Sequence, residues 1–391
     1  MTAQYVPEFI IDTALNVERT YMYSHLDGRS ILEALFSVRY LMIGDKSGRT
    51  VPYGFHDTGK SETVNGTEIK LYEADNPLSI GYTYDSYTST EDFLKMNPAQ
   101  RQETMLKSVV LDDSSFPKSA DTLTVHSVLK NIEENSNIKI TDDKIYVLKD
   151  GASAKLNIDK VRKSELYFLI RGLDFESNNK RSQYSDTEWN ALEPIERAKI
   201  LSSDFLTEKK SSTNIGVSYG DLYQTISYMN HRNIYYCGQD DYLCNLGYIE
   251  TADDEFRIHF KTAGVYDYTS IDVLAQDTDT INQSVKKLSE EMLTDVKMGE
   301  NSVSGKISLS DNKILVLSVP YSTGWTAYVD GQKAELKEAN LVFMAIELKA
   351  GEHNIEIKYE TPYLRAGAVL TIAGLISFFI TFIYFRIKRA V

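Results

Sequence analysis

The sequence is poor in cysteine, tryptophan and positive charge. With only 2 cysteines in 391 residues, Cys237 and Cys244, it has neither a disulfide framework nor a cysteine-based zinc site. Their spacing fits either a bridge across a hairpin or two buried thiols. Lys and Arg (42) are outnumbered by Asp and Glu (56), for a formal net charge of −14. That argues against a protein that neutralises nucleic-acid phosphates and against general adhesion to anionic lipid. The 6 histidines show no HxH or HExxH spacing, so no metal site is expected. There is no GxSxG, no phosphate-cradling loop and no GxGxxG after a strand. No cofactor is expected and no catalytic residue can be assigned. The first residues, MTAQYVPEFIIDTALNVERTY, lack the basic and apolar regions of a signal peptide.

What is present is apolar and tyrosine-rich. About 42% of residues are hydrophobic, enough for packed cores and too many for disorder. The 26 tyrosines suit half-buried strands and also stacking against sugars; strand composition is the favoured reading. Residues Ala366 to Phe385 read AGAVLTIAGLISFFITFIYF without a charge. A run of about twenty apolar residues matches the hydrocarbon thickness of a bilayer, and Gly367 and Gly374 would admit other transmembrane helices. Arg386, Lys388 and Arg389 follow it, and the other flank carries Lys358 and Arg365. The excess of Lys and Arg on the C-terminal side predicts a cytoplasmic C-terminus and an extracytoplasmic soluble region. A tail-anchored protein would keep the soluble part inside, against that charge bias; the favoured explanation is that the chain is the C-terminal piece of a longer protein with earlier transmembrane helices.

The expected fold class is mostly β with some α: β-sandwich architecture, a small β domain and one C-terminal transmembrane helix. Residues 1–115 read as a mixed α/β segment. Ile31 to Val38 has helical spacing, and Tyr40 to Ile43 a buried strand. Asn65-Gly66 marks a primed-turn hairpin, and Asn97-Pro98-Ala99-Gln100 a capped helix start. Residues 120–277 read as a β-sandwich with strands at Ile138–Ile140, Tyr146–Leu148, Ala154–Ile158, Glu165–Leu173, Gly216–Ser227, Leu243–Ile249, Phe256–Phe260 and Val265–Ala275. A helical insertion at Ser185 to Ile200 is interrupted near Pro194. Residues 278–300 hold a linking amphipathic helix with Ile281, Val285, Leu288 and Met292 on one face. Residues 301–360 form a small all-β domain with a hairpin at Asp330-Gly331, 366–385 the membrane helix, and 386–391 a basic tail.

Several segments carry a family resemblance. Pro320-Tyr321-Ser322-Thr323-Gly324-Trp325-Thr326-Ala327-Tyr328-Val329-Asp330-Gly331 is similar to the "PYxxGWxxYVDG" stretch of the YfhO family of bacterial multi-pass membrane proteins. Leu348 to His353 resembles its "LpaGxH". Phe36 to Met42 resembles "lgVkYvi", Asn76 to Ser86 "N-x-LPlgYvyds", and Asn245-Leu246-Gly247-Tyr248 "NLGY". Ser79 departs from the expected Pro, and the cysteine pair is not a feature associated with the family. The resemblance implies a glycosyltransferase of the GT-C type. Such proteins take sugar from a polyprenyl-phosphate carrier and place it on an envelope polymer such as teichoic acid. Their catalytic carboxylates lie on loops between early membrane helices, which these 391 residues do not contain. The implied role is an extracytoplasmic accessory portion, not catalytic by itself. The implied partners are the bilayer, other transmembrane helices, a polyprenyl-linked sugar and an envelope glycopolymer.

Among single residues, Trp325 flanked by Tyr321 and Tyr328 is the best sugar-contact candidate, because an aromatic face offers a flat apolar surface to pyranose C–H groups. Trp325 as a core residue is the favoured alternative. Asp277-Thr278-Asp279 matches a D-x-D motif, but Thr278 or Asp279 as a helix N-cap is the better reading. Asp240-Asp241 and Asp253-Asp254 read as solvated turns, with weak calcium binding as the minor alternative. A membrane-tethered glycan-binding module or scaffold without activity is the second function class.

Overall fold

The computed structural model describes residues 9, 11–15, 26–45, 47, 49–177, 186–208, 212–231, 233, 236, 238–251 and 255–390. Strands account for 45% and helix for 22%, so the chain is mostly β.

The central region is built from three antiparallel sheets around one core. The first is five-stranded, in the order Leu222–Tyr228, Thr213–Tyr219, Phe256–Phe260, Ser153–Ile158, Leu129–Ile132. The second runs Tyr242–Thr251, Arg162–Arg171, Ser270–Asp277, His126–Ser127. The third runs Asp174–Ser177, Gly264–Asp267, Lys144–Val147, Ile138–Ile140. Alternation along each strand sends one set of side chains inward. Ile215, Val217, Ile258 and Phe260 meet Leu166, Phe168, Val273 and Ala275 there, with Ile145 and Tyr266 from the third sheet.

Two expected strands are each split in two. The stretch Gly216–Ser227 is a hairpin, Thr213–Tyr219 paired with Leu222–Tyr228, turning at Gly220 with φ 55°. Gly220-Asp221 is itself a hairpin-turn pair, but strand-forming residues flank it on both sides, so the stretch reads as one strand. The stretch Val265–Ala275 is likewise two strands, because Tyr268 and Thr269 leave the ladder to donate to Asp143 and Arg171 carbonyls. The insertion is two helices, Asp186–Ala191 and Pro194–Glu208, with Pro194 opening the second.

The ends of the chain are interwoven. Strand Gly81–Tyr84 pairs with Lys313–Leu317, in a sheet completed by Phe343–Leu348 and Lys337–Ala339. A Cβ on Gly81 would lie 2.8 Å from Leu293 Cβ and 3.1 Å from Leu317, so only glycine lets the two segments close. Tyr82 and Tyr84 are buried, and their hydroxyls donate to the carbonyls of Leu35 and Met105, which meets the requirement for a buried phenol. The linking helix Thr278–Leu288 is N-capped by Asp277, which accepts from Thr280 N at 2.8 Å; Asp277 holds the cap in place of Thr278 or Asp279. Its Ile281, Val285 and Leu288 share a core with Ile31, Leu35, Met105, Val316 and Phe343. Residues of both 1–115 and 301–360 thus contribute to one hydrophobic cluster.

Local signals are read out where they were expected. Asn65-Gly66 and Asp330-Gly331 both have positive φ at both positions, the requirement of a type I′ turn. Helix Pro98–Lys107 has Asn97 as N-cap with a full capping box to Gln100. Strand Tyr40–Gly44 exists but is not buried: Met42 is 75% exposed, because the sheet it forms with Phe55–Val64 and Thr67–Ala74 leaves that face uncovered. Helix Leu364–Ala390 leaves its apolar side chains exposed from Leu364 to Ile387, and its mean hydropathy reaches 2.3. Such a surface is stable in lipid.

Beside the turn at Asp330-Gly331, Asp330 accepts from Asn354 N and His353 Nδ1, each at 2.8 Å, while His353 Nε2 lies 3.0 Å from the Lys349 carbonyl. Both ring nitrogens face acceptors, so the hydrogen bond to Asp330 raises the His353 pKa. A raised folded pKa means the contribution is complete below the unfolded value of about 6.5 and is lost as pH rises through the folded value. We expect the stability difference between wild type and His353→Gln to shrink from pH 5.5 to pH 8.5 in thermal melts. Gly81→Val should cost about 3 kcal/mol or more through overpacking, measured by denaturant unfolding.

Candidate functional site

A cleft of about 600 Å³ lies between strand Tyr40–Gly44 with the loop after it and the edge of the five-stranded sheet. Leu41, Met42, Ile43, Arg49 and Thr50 form one wall, and Asn214, Tyr223, Thr225 and Ser227 the other; Asp27, Gly28 and Glu33 line it as well. A second hollow of about 260 Å³ adjoins it across Asn214, Tyr223 and Thr225 and extends to His259 and Lys261.

Strand register explains the composition of this surface. Inward positions are apolar, so their neighbours face out. Ser218 opposes Tyr223 and Arg257, Gly216 opposes Thr225 and His259, and Asn214 opposes Ser227. Ser153, Lys155 and Asn157 continue the row, with Lys155 opposite Arg257 and Asn157 opposite Asn131. Tyr223 is the aromatic on this face. It is 53% exposed and lies across Gly216, whose missing Cβ would fall 1.9 Å from the Tyr223 hydroxyl. Its ring is 5.7 Å from that of His259. His259 Nε2 is 2.9 Å from Ser218 Oγ, and burial together with Arg257 lowers its pKa, so the imidazole is neutral at neutral pH. The result is a polar ledge of hydroxyls, amides, an imidazole and one phenol ring, with the cationic Lys155 and Arg257 in the same rows.

A buried polar junction holds the cleft floor. Arg29 is fully buried and donates to the carbonyls of Thr13 (2.6 Å), Ala14 (2.8 Å) and Leu243 (2.5 Å), with Asp27 at 3.5 Å. Burial lowers its pKa. Glu165, also fully buried, accepts from Ser30 Oγ (2.9 Å), Tyr167 OH (2.7 Å) and Asn245 Nδ2 (2.9 Å); burial raises its pKa against those bonds. Asn245 Nδ2 also donates to the Gly28 carbonyl at 2.7 Å, and its Oδ1 accepts from Gly247 N. A Cβ on Gly247, at φ 85°, would fall 3.8 Å from Thr50. The Asn-Leu-Gly-Tyr segment is therefore the joint under the cleft. Neither Arg29 nor Glu165 was marked by the sequence, since isolated charges carry no periodic signal.

The sequence-predicted aromatic trio does not converge. Trp325 packs on the hydrophobic cluster of Leu293, Ile307, Leu315, Ala327 and Ile357, as does Tyr321, and Trp325 meets Tyr359 edge-on at 5.2 Å. Tyr328 is three positions further along the strand Trp325–Val329, on the opposite face, under Lys358 at 5.4 Å. Cys237 lies outside the described residues, as do Asp253 and Asp254. Cys244 is a free, buried thiol, pushed up to about 12 by burial. Asp241 does not sit in a solvated turn; it receives Arg171 Nε and Gly172 N, each at 2.9 Å. Among the described residues no group of three or more His, Cys, Asp or Glu is placed to hold a metal.

The family description "Bacterial membrane protein YfhO" matches residues 3–371. The chain belongs to the YfhO family. The uncharacterized protein YfhO of Bacillus subtilis (strain 168) is 20% identical over 377 residues, which is 95% of this chain and 38% of that protein. The YfhO-family chain thus spans well under half the length of that relative. A cryo-EM structure of arabinofuranosyltransferase AftD from Mycobacteria aligns over 37% of this chain and 12% of that one, with a TM-score of 0.16 and 13% identity. Family membership and the exposed apolar helix make this a bacterial membrane protein. Tyr223→Ala should uncover His259 and move its pKa up toward about 6.5, which NMR titration of the ring will read.

Proposed function

We propose that this chain is the extracytoplasmic portion, with one membrane span, of a glycosyltransferase that draws on a polyprenyl-phosphate-linked sugar and builds an envelope polymer of the teichoic acid kind. Catalytic groups come from outside these residues, and the chain holds the acceptor. The observation that carries this reading is the outward face of the five-stranded sheet. Four inter-strand gaps make it roughly 19 Å wide, long enough for several sugar residues. Its polar groups are uncharged at Asn214, Ser218, Thr225, Ser227 and Asn157 and cationic at Lys155 and Arg257, with Tyr223 exposed for stacking. Hydroxyl-rich ligands need many hydrogen-bond partners and one apolar plane, and this ledge offers both. Arg49 on the opposite wall suits the phosphodiester of an anionic polymer. The sugar contact is assigned to this ledge in preference to the Tyr321, Trp325 and Tyr328 group.

Orientation follows from the cationic end of the helix, Lys388 and Arg389, which favours a cytoplasmic C-terminus. The second reading is a tethered glycan-binding or scaffold module with no enzymatic partner. Both readings require polymer binding, and only the first requires transfer.

Purified chain in detergent should bind envelope glycopolymer, and Tyr223→Ala should weaken that binding about tenfold, ~1.4 kcal/mol. Wild-type affinity in that variant removes the ledge from the account. Membranes containing the complete relative should incorporate labelled sugar from a polyprenyl-phosphate donor; polymer binding without incorporation leaves the second reading. Protease added outside intact cells should cut the β region and spare a C-terminal tag.

A further inference from the structure

We propose that one end of the C-terminal β domain rests on the bilayer surface, with Trp325 as its interfacial anchor. Strand Gly351–Tyr359 ends four residues before helix Leu364–Ala390. That connection is short and pinned: Glu360 N donates to the Gly324 carbonyl at 2.9 Å, Leu364 N to Thr361 at 3.2 Å and Gly367 N to Tyr363 at 2.8 Å. Trp325 is the Cα partner of Tyr359, so it starts its strand at the end of the sheet nearest the helix. Met298 pairs with Val303 at that same end, where Tyr359 N bonds the Asn301 carbonyl. The opposite end carries the Asp330-Gly331 turn, about 13 Å away along a five-residue strand.

The near end displays what an interface selects. Met298 is 71% exposed, Tyr363 88% and Leu364 61%, an unusual concentration of apolar groups on so acidic a chain. The Trp325 ring is half-buried on Tyr359, and its indole N–H has no hydrogen-bond partner among the described residues. An amphipathic ring with a free N–H suits the headgroup level, where lipid carbonyls and phosphates accept. The charges here are Lys297, Glu300 and Lys358, which pairs with Glu356, together with the Arg365–Glu360 pair. The occupant is the bilayer in which the adjoining helix sits, and contact with it fixes the tilt of the domain over the membrane. This rests on the helix spanning lipid and not on any sugar chemistry.

The protein's 2 tryptophans make the test direct. In a Trp189→Phe chain reconstituted into nanodiscs, Trp325 is the only indole. Lipids brominated near the headgroup should quench its emission at least twofold, those brominated deep in the acyl chain should quench less, and iodide should quench little. Equal emission in brominated and ordinary lipids, with strong iodide quenching, would overturn the proposal. So would protection of Trp325 from iodide by envelope glycopolymer in lipid-free detergent, which would return this ring to sugar binding. Met298→Ser, a substitution outside the core, should reduce the bromolipid quenching while leaving the melting temperature unchanged; unaltered quenching would remove Met298 from the contact, and with it the apolar rim on which the proposal stands.

Discussion

The pairing of Gly81–Tyr84 with Lys313–Leu317 is the constraint on which the rest of the molecule depends. It brings together segments from opposite ends of the chain, and such closure costs loop entropy before any contact offsets it. The compensation is concentrated at the junction. Tyr82 and Tyr84 bury their rings and satisfy their hydroxyls, and Asp85 forms ion pairs with Lys287 and Lys313. The paired strand thereby ties the N-terminal part of the chain into the sheet of Lys313–Leu317, Phe343–Leu348 and Lys337–Ala339.

The junction of Arg29, Glu165 and Asn245 fixes the other side. Burying an arginine and a carboxylate is costly unless their hydrogen bonds are met. Arg29 offsets most of that cost with three backbone carbonyls, its Nε alone being left without a partner among the described residues, and Glu165 with three side-chain donors. An apolar joint of this size would hold the two parts together as strongly but would tolerate sliding. Directional bonds specify one arrangement, and that arrangement sets the gap between Thr50 and Tyr223 that becomes the cleft.

Charge and membrane placement are linked. A chain with a net charge of −14 is repelled by anionic headgroups over about a Debye length, so its approach to the bilayer cannot rely on basic patches. The helix supplies the tether, and an aromatic and methionine rim at its base supplies contact without charge. The acidic remainder, with the polar ledge on the five-stranded sheet, is left facing water.

Much of this was legible in the chain itself. The uncharged run at 366–385, the Asn-Gly and Asp-Gly turns, the capping box at Asn97 and the apolar face of Ile281, Val285 and Leu288 are local patterns, and local patterns report on neighbours within a few residues. The same locality explains the misreadings. The 216–227 run hid a hairpin because strand-forming residues flank its Gly-Asp turn on both sides, and Met42 looked buried because hydropathy says nothing about which face a sheet leaves uncovered. The ledge of Asn214, Tyr223 and His259 joins residues from three strands, and the cleft adds a wall from near the N-terminus. Sequence by itself determined the β-rich class, the family and the lipid-borne helix. The meeting of Gly28 with Asn245, of Tyr84 with Ile314 and of Trp325 with Tyr359 was decided only in three dimensions, because long-range pairing depends on which surfaces fit together and not on the order in which they are written.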